Sequence, residues 1–390
     1  MRRAVPAAAL LIGLLSVTAC GSGPSPTGRA PAGDAQRPGG PSASGAVPGP
    51  SGSTGADADA SPPGPSAAGS APPGTTFTVA FAGDVHFEGR AKPRLSAGPG
   101  ETALGPIAAT LARADLSVLN LETAITGRGA PEPKTYTFRT SPRALQVLHD
   151  AGVDVVSMAN NHAVDFGADG LADTLAAKAS SPVPVIGVGR NAAEAYAPYV
   201  TSVKGVKVAV VAASQVSDLT NDKWRAGPGK PGIASARDAD ALVAAVRSAR
   251  AQAPVVLVYL HWGEEGRACP TGEQTAVARR LAAAGASAVV GTHAHTMLGA
   301  GMLGSTYVAY GFGNFLWYAT SNYPGSDETG VTTVTFTADG RTVGERFTPA
   351  HIDGRGVPVP QTGAAAAAAL RRREGLRSCT GLAPVPQPAG

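Results

Sequence analysis

Residues Ser157–Gly167 read SMANNHAVDFG, which places two asparagines, a histidine and an aspartate in one short turn after the apolar run GVDVV. Asn and Asp bond their own backbone in ordinary turns, so this stretch alone fits either turn chemistry or a site that coordinates and titrates. The pattern recurs along the chain. FTVAFA runs into GDVHFEGR, LSVLN into LET, PVVLVYL into HWGEE and SAVV into GTHAH. Five apolar runs therefore end in Asp84, His86, Glu122, Asn161, His162, His261, His293 and His295, which include five of the seven histidines. Imidazole and carboxylate donors suit Mn, Fe or Zn, and the lack of a thiolate cluster argues against a structural zinc knot. Seven such donors, with His162 in addition, exceed one tetrahedral site. They suit two divalent ions roughly 3.5–4 Å apart sharing a carboxylate, with His162 left as general acid for a leaving group.

Short apolar runs alternate with helical stretches from Phe77 onward: FTVAFAG, LSVLNLE, VDVVSMA, PVIGVG, VKVAVVAAS, PVVLVYL and SAVVG read as strands. SPRALQVLHDAG, GADGLADTLAAKAS, DADALVAAVRSARAQ and TGEQTAVARRLAAAG read as helices. Such alternation predicts an α/β fold with a mainly parallel sheet. The closing runs STYVAYGFGNFLW and GVTTVTFTADG add an antiparallel part, so a two-sheet sandwich fits at least as well as one doubly wound sheet. In parallel sheets the strand carboxyl ends share one edge, where ligands bind. That edge is where the eight polar residues fall.

The chain has 390 residues and a net charge of +4, with no basic run longer than Arg371–Arg373, which points away from nucleic acid. Residues 1–20, MRRAVPAAALLIGLLSVTAC, read as an export signal, with Arg2 and Arg3 before an apolar stretch. Val17-Thr18-Ala19-Cys20 resembles a bacterial lipobox, which predicts a lipidated Cys20 and a protein anchored to the outer face of the cytoplasmic membrane. The export route stays open. From 21 to 74 the chain is almost wholly Gly, Pro, Ala, Ser and Thr, with Val47 its single large aliphatic residue. Such a segment is expected to be a disordered tether. A globular domain is expected over 75–345, followed by a tail over 346–390. In an exported chain Cys269 and Cys379 are the pair left to form a disulfide, expected to hold that tail over the site.

D-x-H, an Asn-His pair, a later lone histidine and a terminal H-x-H resemble the calcineurin-like metallophosphoesterase pattern. GDVHFEGR, LNLET, KTYTF, ANNHAVDFG, HWGEE, PTGEQ, GTHAH and GFGNF, in that order, resemble the bacterial capsule-synthesis CapA family, associated with making or exporting poly-γ-glutamate. The resemblance runs from about Thr78 to Thr335. It implies a metallophosphoesterase-like α/β sandwich with mixed sheets and a metal site at the strand carboxyl ends. It further implies that Asp84, His86 and His295 hold one ion, that Asn161, His261 and His293 hold the other, and that Glu122 bridges them. Arg90, Glu265 and Asn314 fall at positions that would contact substrate. The family commonly has methionine at the place of His86 and proline at that of Ala294, and phosphoesterases usually bridge with aspartate rather than glutamate. Two functions follow: a metal-dependent hydrolase at the cell surface, or a non-catalytic component that binds polymer or its synthase partners in an export assembly. A full ligand set beside His162 favours the first.

Overall fold

The computed structural model describes residues 71–386 except 73, 99 and 320–322. The expected export signal with Cys20, and the expected tether up to residue 70, lie outside the described residues. No helix among the described residues is long and apolar enough to cross a membrane.

Strand Thr76–Val85 organises an eight-stranded mixed sheet. On one side it pairs in parallel with Leu116–Leu121, which leads on to Val155–Ser157 and Val185–Ile186. On the other it pairs antiparallel with Glu328–Thr337, followed by Thr342–Ile352 and Pro358–Pro360. Strand Asn314–Leu316 joins its end in parallel. A six-stranded sheet is built around Val255–Trp262, flanked in parallel by Val206–Ser214 and Ala288–His293. Thr306–Ala309, Ala300–Leu303 and Tyr199–Val203 complete it.

The two sheets pack face to face. Phe77, Val79 and Phe81 meet Val208, Val210, Leu257, Tyr259 and Val290 in one apolar layer. The alternate residues Ala80 and Ala82 face the helices Ala108–Ala112, Arg143–Asp150 and Gly167–Ala179, while Val256, Val258 and Leu260 face Ala239–Gln252 and Gly272–Ala283. Both faces of each central strand are thus buried, which is why these strands read as continuous apolar runs. The architecture is the two-sheet α/β sandwich.

One boundary is corrected. Thr342–Ile352 runs through the expected division at 345, and Pro358–Pro360 extends the same sheet, so only the part beyond it is a tail. Helix Gly363–Leu376 then leads to Cys379.

Candidate metal centre

The inter-sheet apolar layer ends in polar side chains, and strand periodicity accounts for most of them. Val118, Asn120 and Glu122 share one side of their strand, as do Leu257, Tyr259 and His261 of theirs. The apolar members fill the layer and the polar members continue it at the carboxyl edge. Asp84 has the wrong parity to join them. A bulge corrects this: Phe81 pairs with Val118 but Asp84 pairs with Asn120, three residues against two. The extra residue moves Val85 to the helix side and turns Asp84 toward the second sheet. Gly83 lies in the bulge, where a Cβ would stand 2.0 Å from the carbonyl oxygen of Gly313, so no larger residue fits. Across the layer, the Tyr259 hydroxyl donates to the carbonyl of Ala82 at 2.5 Å, tying the two strands together two residues before Asp84 and His261.

Asp84 Oδ1 accepts from Asn120 Nδ2 at 2.8 Å, and its Oδ2 accepts from the backbone N–H of His293 at 3.2 Å. That bond helps hold His293 at φ +97°, with His295 at φ +56°, conformations that non-glycine residues rarely adopt and that concentrate at functional sites. His261 Nε2 lies 2.8 Å from Asn161 Oδ1 and 3.3 Å from Glu122 Oε1. His295 Nδ1 bonds Asn314 Oδ1 at 2.9 Å, which leaves the Nε2 lone pair facing the cluster. Donor atoms converge within 4.8 Å of one another in three groups: Glu122, His261 and His293; Asp84, Glu122 and His295; and Glu265, His293 and His295. Glu122 belongs to the first two.

These residues fit divalent cations. Both Glu122 carboxylate oxygens and His293 Nδ1 are buried without a hydrogen-bond partner among the described residues. An unpaired buried carboxylate costs several kcal/mol, and a cation removes that cost. Burial, followed by the charge of Glu122, pushes Asp84 up to about 6, and burial pushes Glu122 up to about 7. His261 is pushed down to about 4, and His162 and His293 well below their ordinary range, burial being the leading cause for each. The cluster is poised to exchange protons for positive ions. The remaining histidines, His149 and His351, have half-exposed side chains paired with Asp150 and Asp327.

The structure brings Asp84, Glu122, Asn161, His261, His293 and His295 together but not His86. His86 Nε2 accepts from the backbone N–H of Tyr318 at 3.2 Å, and its ring lies 4.5–4.6 Å from the rings of Phe138, Trp317 and Tyr318. It belongs to none of the three groups, and its Nδ1 is buried without a hydrogen-bond partner among the described residues. The Arg90 guanidinium donates to the carbonyls of Trp317 and Ala319 and braces that loop. Asn314 orients His295, and Glu265 joins the donors. Trp262 packs on Tyr310, and Trp317 walls His86 and His295.

Cys269 and Cys379 are joined by a disulfide across a sequence separation of 110. The tail it secures runs beside the H-x-H turn, with Leu376 and Thr380 against Gly299 and Ala383 paired to Met302. None of the hydrogen bonds given above for the cluster side chains comes from that tail.

Sequence reasoning passed over Asp165, although it ends the NNHAVD stretch. Asp165 Oδ2 lies 2.6 Å from His162 Nδ1 and accepts from the backbone N–H of Phe138, while Oδ1 pairs with Lys134 Nζ at 2.7 Å. The His162 Nδ1 proton is therefore directed to Asp165, and Nε2 faces Glu122 Oε1 at 3.9 Å. The three-residue spacing between a histidine and a carboxylate was the available signal. The two asparagines have separate tasks. Asn161 offers its oxygen to the cluster, whereas Asn160 builds the turn, donating to Asn120 Oδ1 and the Leu121 carbonyl and accepting from the His162 N–H.

The family model described as bacterial capsule synthesis protein PGA_cap matches residues 78–319. The chain is 30% identical over 185 residues to the PGA biosynthesis protein CapA of Bacillus subtilis (strain 168), covering 47% of this chain and 48% of that protein. It is 28% identical over 188 residues to the capsule biosynthesis protein CapA of Bacillus anthracis, covering 47% and 45%. The match thus spans about half the length of each relative. Among solved structures it aligns with a novel phosphatase of Mycoplasma pneumoniae at TM-score 0.45 and 14% identity, covering 72% of this chain and 96% of that one. A hypothetical protein of Thermus thermophilus aligns at TM-score 0.44 and 21% identity, covering 70% and 99%.

Proposed function

This chain belongs to the bacterial capsule synthesis protein PGA_cap family, and from that premise we propose a hydrolase of the outer cell surface that serves synthesis or export of poly-γ-glutamate or a related polymer. The lipobox-like Val17–Cys20 sequence supports a lipid anchor at Cys20 on the outer face of the cytoplasmic membrane. The observation that carries the hydrolytic reading is Glu122, a buried carboxylate without hydrogen bonds among the described residues, common to two donor groups.

In this reading two divalent ions of the Mn, Fe or Zn class bind. Asp84, Glu122 and His295 would hold one, and Asn161, His261 and His293 the other, with Glu122 within reach of both. Bound ions supply Lewis acidity toward an ester or amide oxygen and make a water acidic near neutral pH. The protein's own part is proton movement and orientation. His162, neutral at rest with its Nδ1 proton directed to Asp165, would accept at Nε2 the proton of the attacking water and return it to the departing oxygen or nitrogen as the scissile bond breaks. Asp165 stabilises the charged ring in between, and Lys134 supports Asp165. Asn314 fixes the ring of His295, and Asn120 fixes Asp84.

The test is metal analysis of the purified chain followed by a panel of phosphoester and γ-glutamyl substrates. Two ions per chain with metal-dependent turnover support the proposal. Ions without turnover on any substrate would favour a polymer-binding component of the export assembly instead.

A further inference from the structure

We propose that Glu265 is a metal ligand that takes the coordination place His86 does not fill, and that Tyr323 holds it there. The proposal rests on the metal-site reading above and adds a residue to it. With His86 in none of the donor groups, an ion at Asp84, Glu122 and His295 would have three protein donors, whereas its neighbour would have Glu122, Asn161, His261 and His293. Glu265 Oε1 lies 4.0 Å from His295 Nε2. The His295 Nδ1 proton is directed to Asn314, so the two atoms present lone pairs to each other across that gap. Metal–nitrogen and metal–oxygen bonds are about 2.0–2.2 Å, so one ion spans the gap. The donor group that joins Glu265 to His295 also contains His293, assigned above to the neighbouring ion, whose Nδ1 is buried and unpartnered among the described residues.

The loop that presents Glu265 is built for the task. The Gly266 N–H donates to the Ala294 carbonyl at 2.8 Å, and Thr296 Oγ1 donates to the Arg267 carbonyl at 3.0 Å. These bonds fasten the HWGEEGR loop to both sides of the H-x-H turn. The Tyr323 hydroxyl donates to Glu265 Oε2, which leaves Oε1 directed to His295. The Tyr323 ring lies parallel to His295, at 6.3 Å between centroids, and passes so close to Gly266 that a Cβ there would stand 2.6 Å from it. Gly266, at φ +75°, is thus needed for both conformation and space. The Glu265 side chain is 45% exposed while those of Asp84 and Glu122 are fully buried, so it is the ligand through which solvent and substrate reach the ion.

The test is Mn²⁺ titration of the chelator-stripped full chain by calorimetry, with bound metal counted after dialysis. Wild type is expected to take two ions. Glu265→Gln is expected to lose one of them or to bind it more than tenfold more weakly. Tyr323→Phe is expected to weaken the same ion by roughly 10-fold, at the lower end of the effect of removing a group that orients a ligand. Glu264→Gln, altering an adjacent exposed carboxylate that pairs with Arg267, is expected to bind like wild type. Wild-type binding in Glu265→Gln, with an ion lost in His293→Ala, overturns the assignment of Glu265 and leaves the metal site standing. No uptake by wild type overturns both.

Discussion

Glu122 Oε1 stands 3.3 Å from His261 Nε2, yet that nitrogen is directed to Asn161 and the carboxylate has no hydrogen bond among the described residues. A buried carboxyl group next to a buried neutral imidazole, each displaced from its ordinary pKa, is the arrangement of a site waiting for positive charge.

That arrangement sets a pH dependence. Glu122 at about 7 and Asp84 at about 6 hold protons that must leave before a cation binds. The metal-free fold binds those protons more tightly than the unfolded chain does. Their contribution to stability is therefore full below about 4, the range of unfolded carboxylates, and is lost as pH rises through 6 to 7. Cation binding has the opposite slope. The rise in Tm on adding Mn²⁺ is expected to be several degrees larger at pH 8 than at pH 5.5, and Glu122→Gln is expected to abolish most of it. A gain independent of pH would contradict the assignment.

His162 and the metal donors separate by mutation. His162→Ala is expected to retain both ions while hydrolysis falls roughly 10²–10⁴-fold, the usual contribution of an acid–base group. Metal counting beside a rate assay checks this, and loss of an ion in that variant would make His162 a ligand.

His86 is expected to be dispensable for metal. His86→Met keeps a large apolar body among Phe138, Trp317 and Tyr318 and removes both the acceptor of the Tyr318 N–H and the unpartnered Nδ1. The ion count should stay as in wild type, with a stability cost of about 1–2 kcal/mol for the orphaned N–H. An ion lost would return His86 to the ligand set.

The Cys269–Cys379 bond closes a long loop and secures the last helix. Cys379→Ser is expected to lower unfolding free energy by about 2–5 kcal/mol, as removal of a native disulfide does, in urea unfolding of the purified protein. Non-reducing peptide mapping of the wild type should recover the joined pair, and two free thiols would count against it.

The sequence by itself determined which strands end in chemistry. Period-2 patterning is local, so the continuation of Val118 into Asn120 and Glu122, or of Tyr259 into His261, was written in consecutive residues. The alternation of strands and helices carried the α/β class for the same reason. Only the tertiary structure decided which of those residues meet. The bulge at Gly83 that turns Asp84 toward the second sheet depends on the approach of Gly313, and His86 packs outside the cluster among rings that include Tyr318, 232 positions away. The place of Glu265 depends on backbone bonds to Ala294 and on Tyr323. The expected boundary at 345 failed likewise, because membership of Thr342–Ile352 in the first sheet is set by its partner Glu328–Thr337. Residue types and their period are local properties of the chain. Pairing, register and hydrogen bonds between distant segments are not, and they decided the composition of the site.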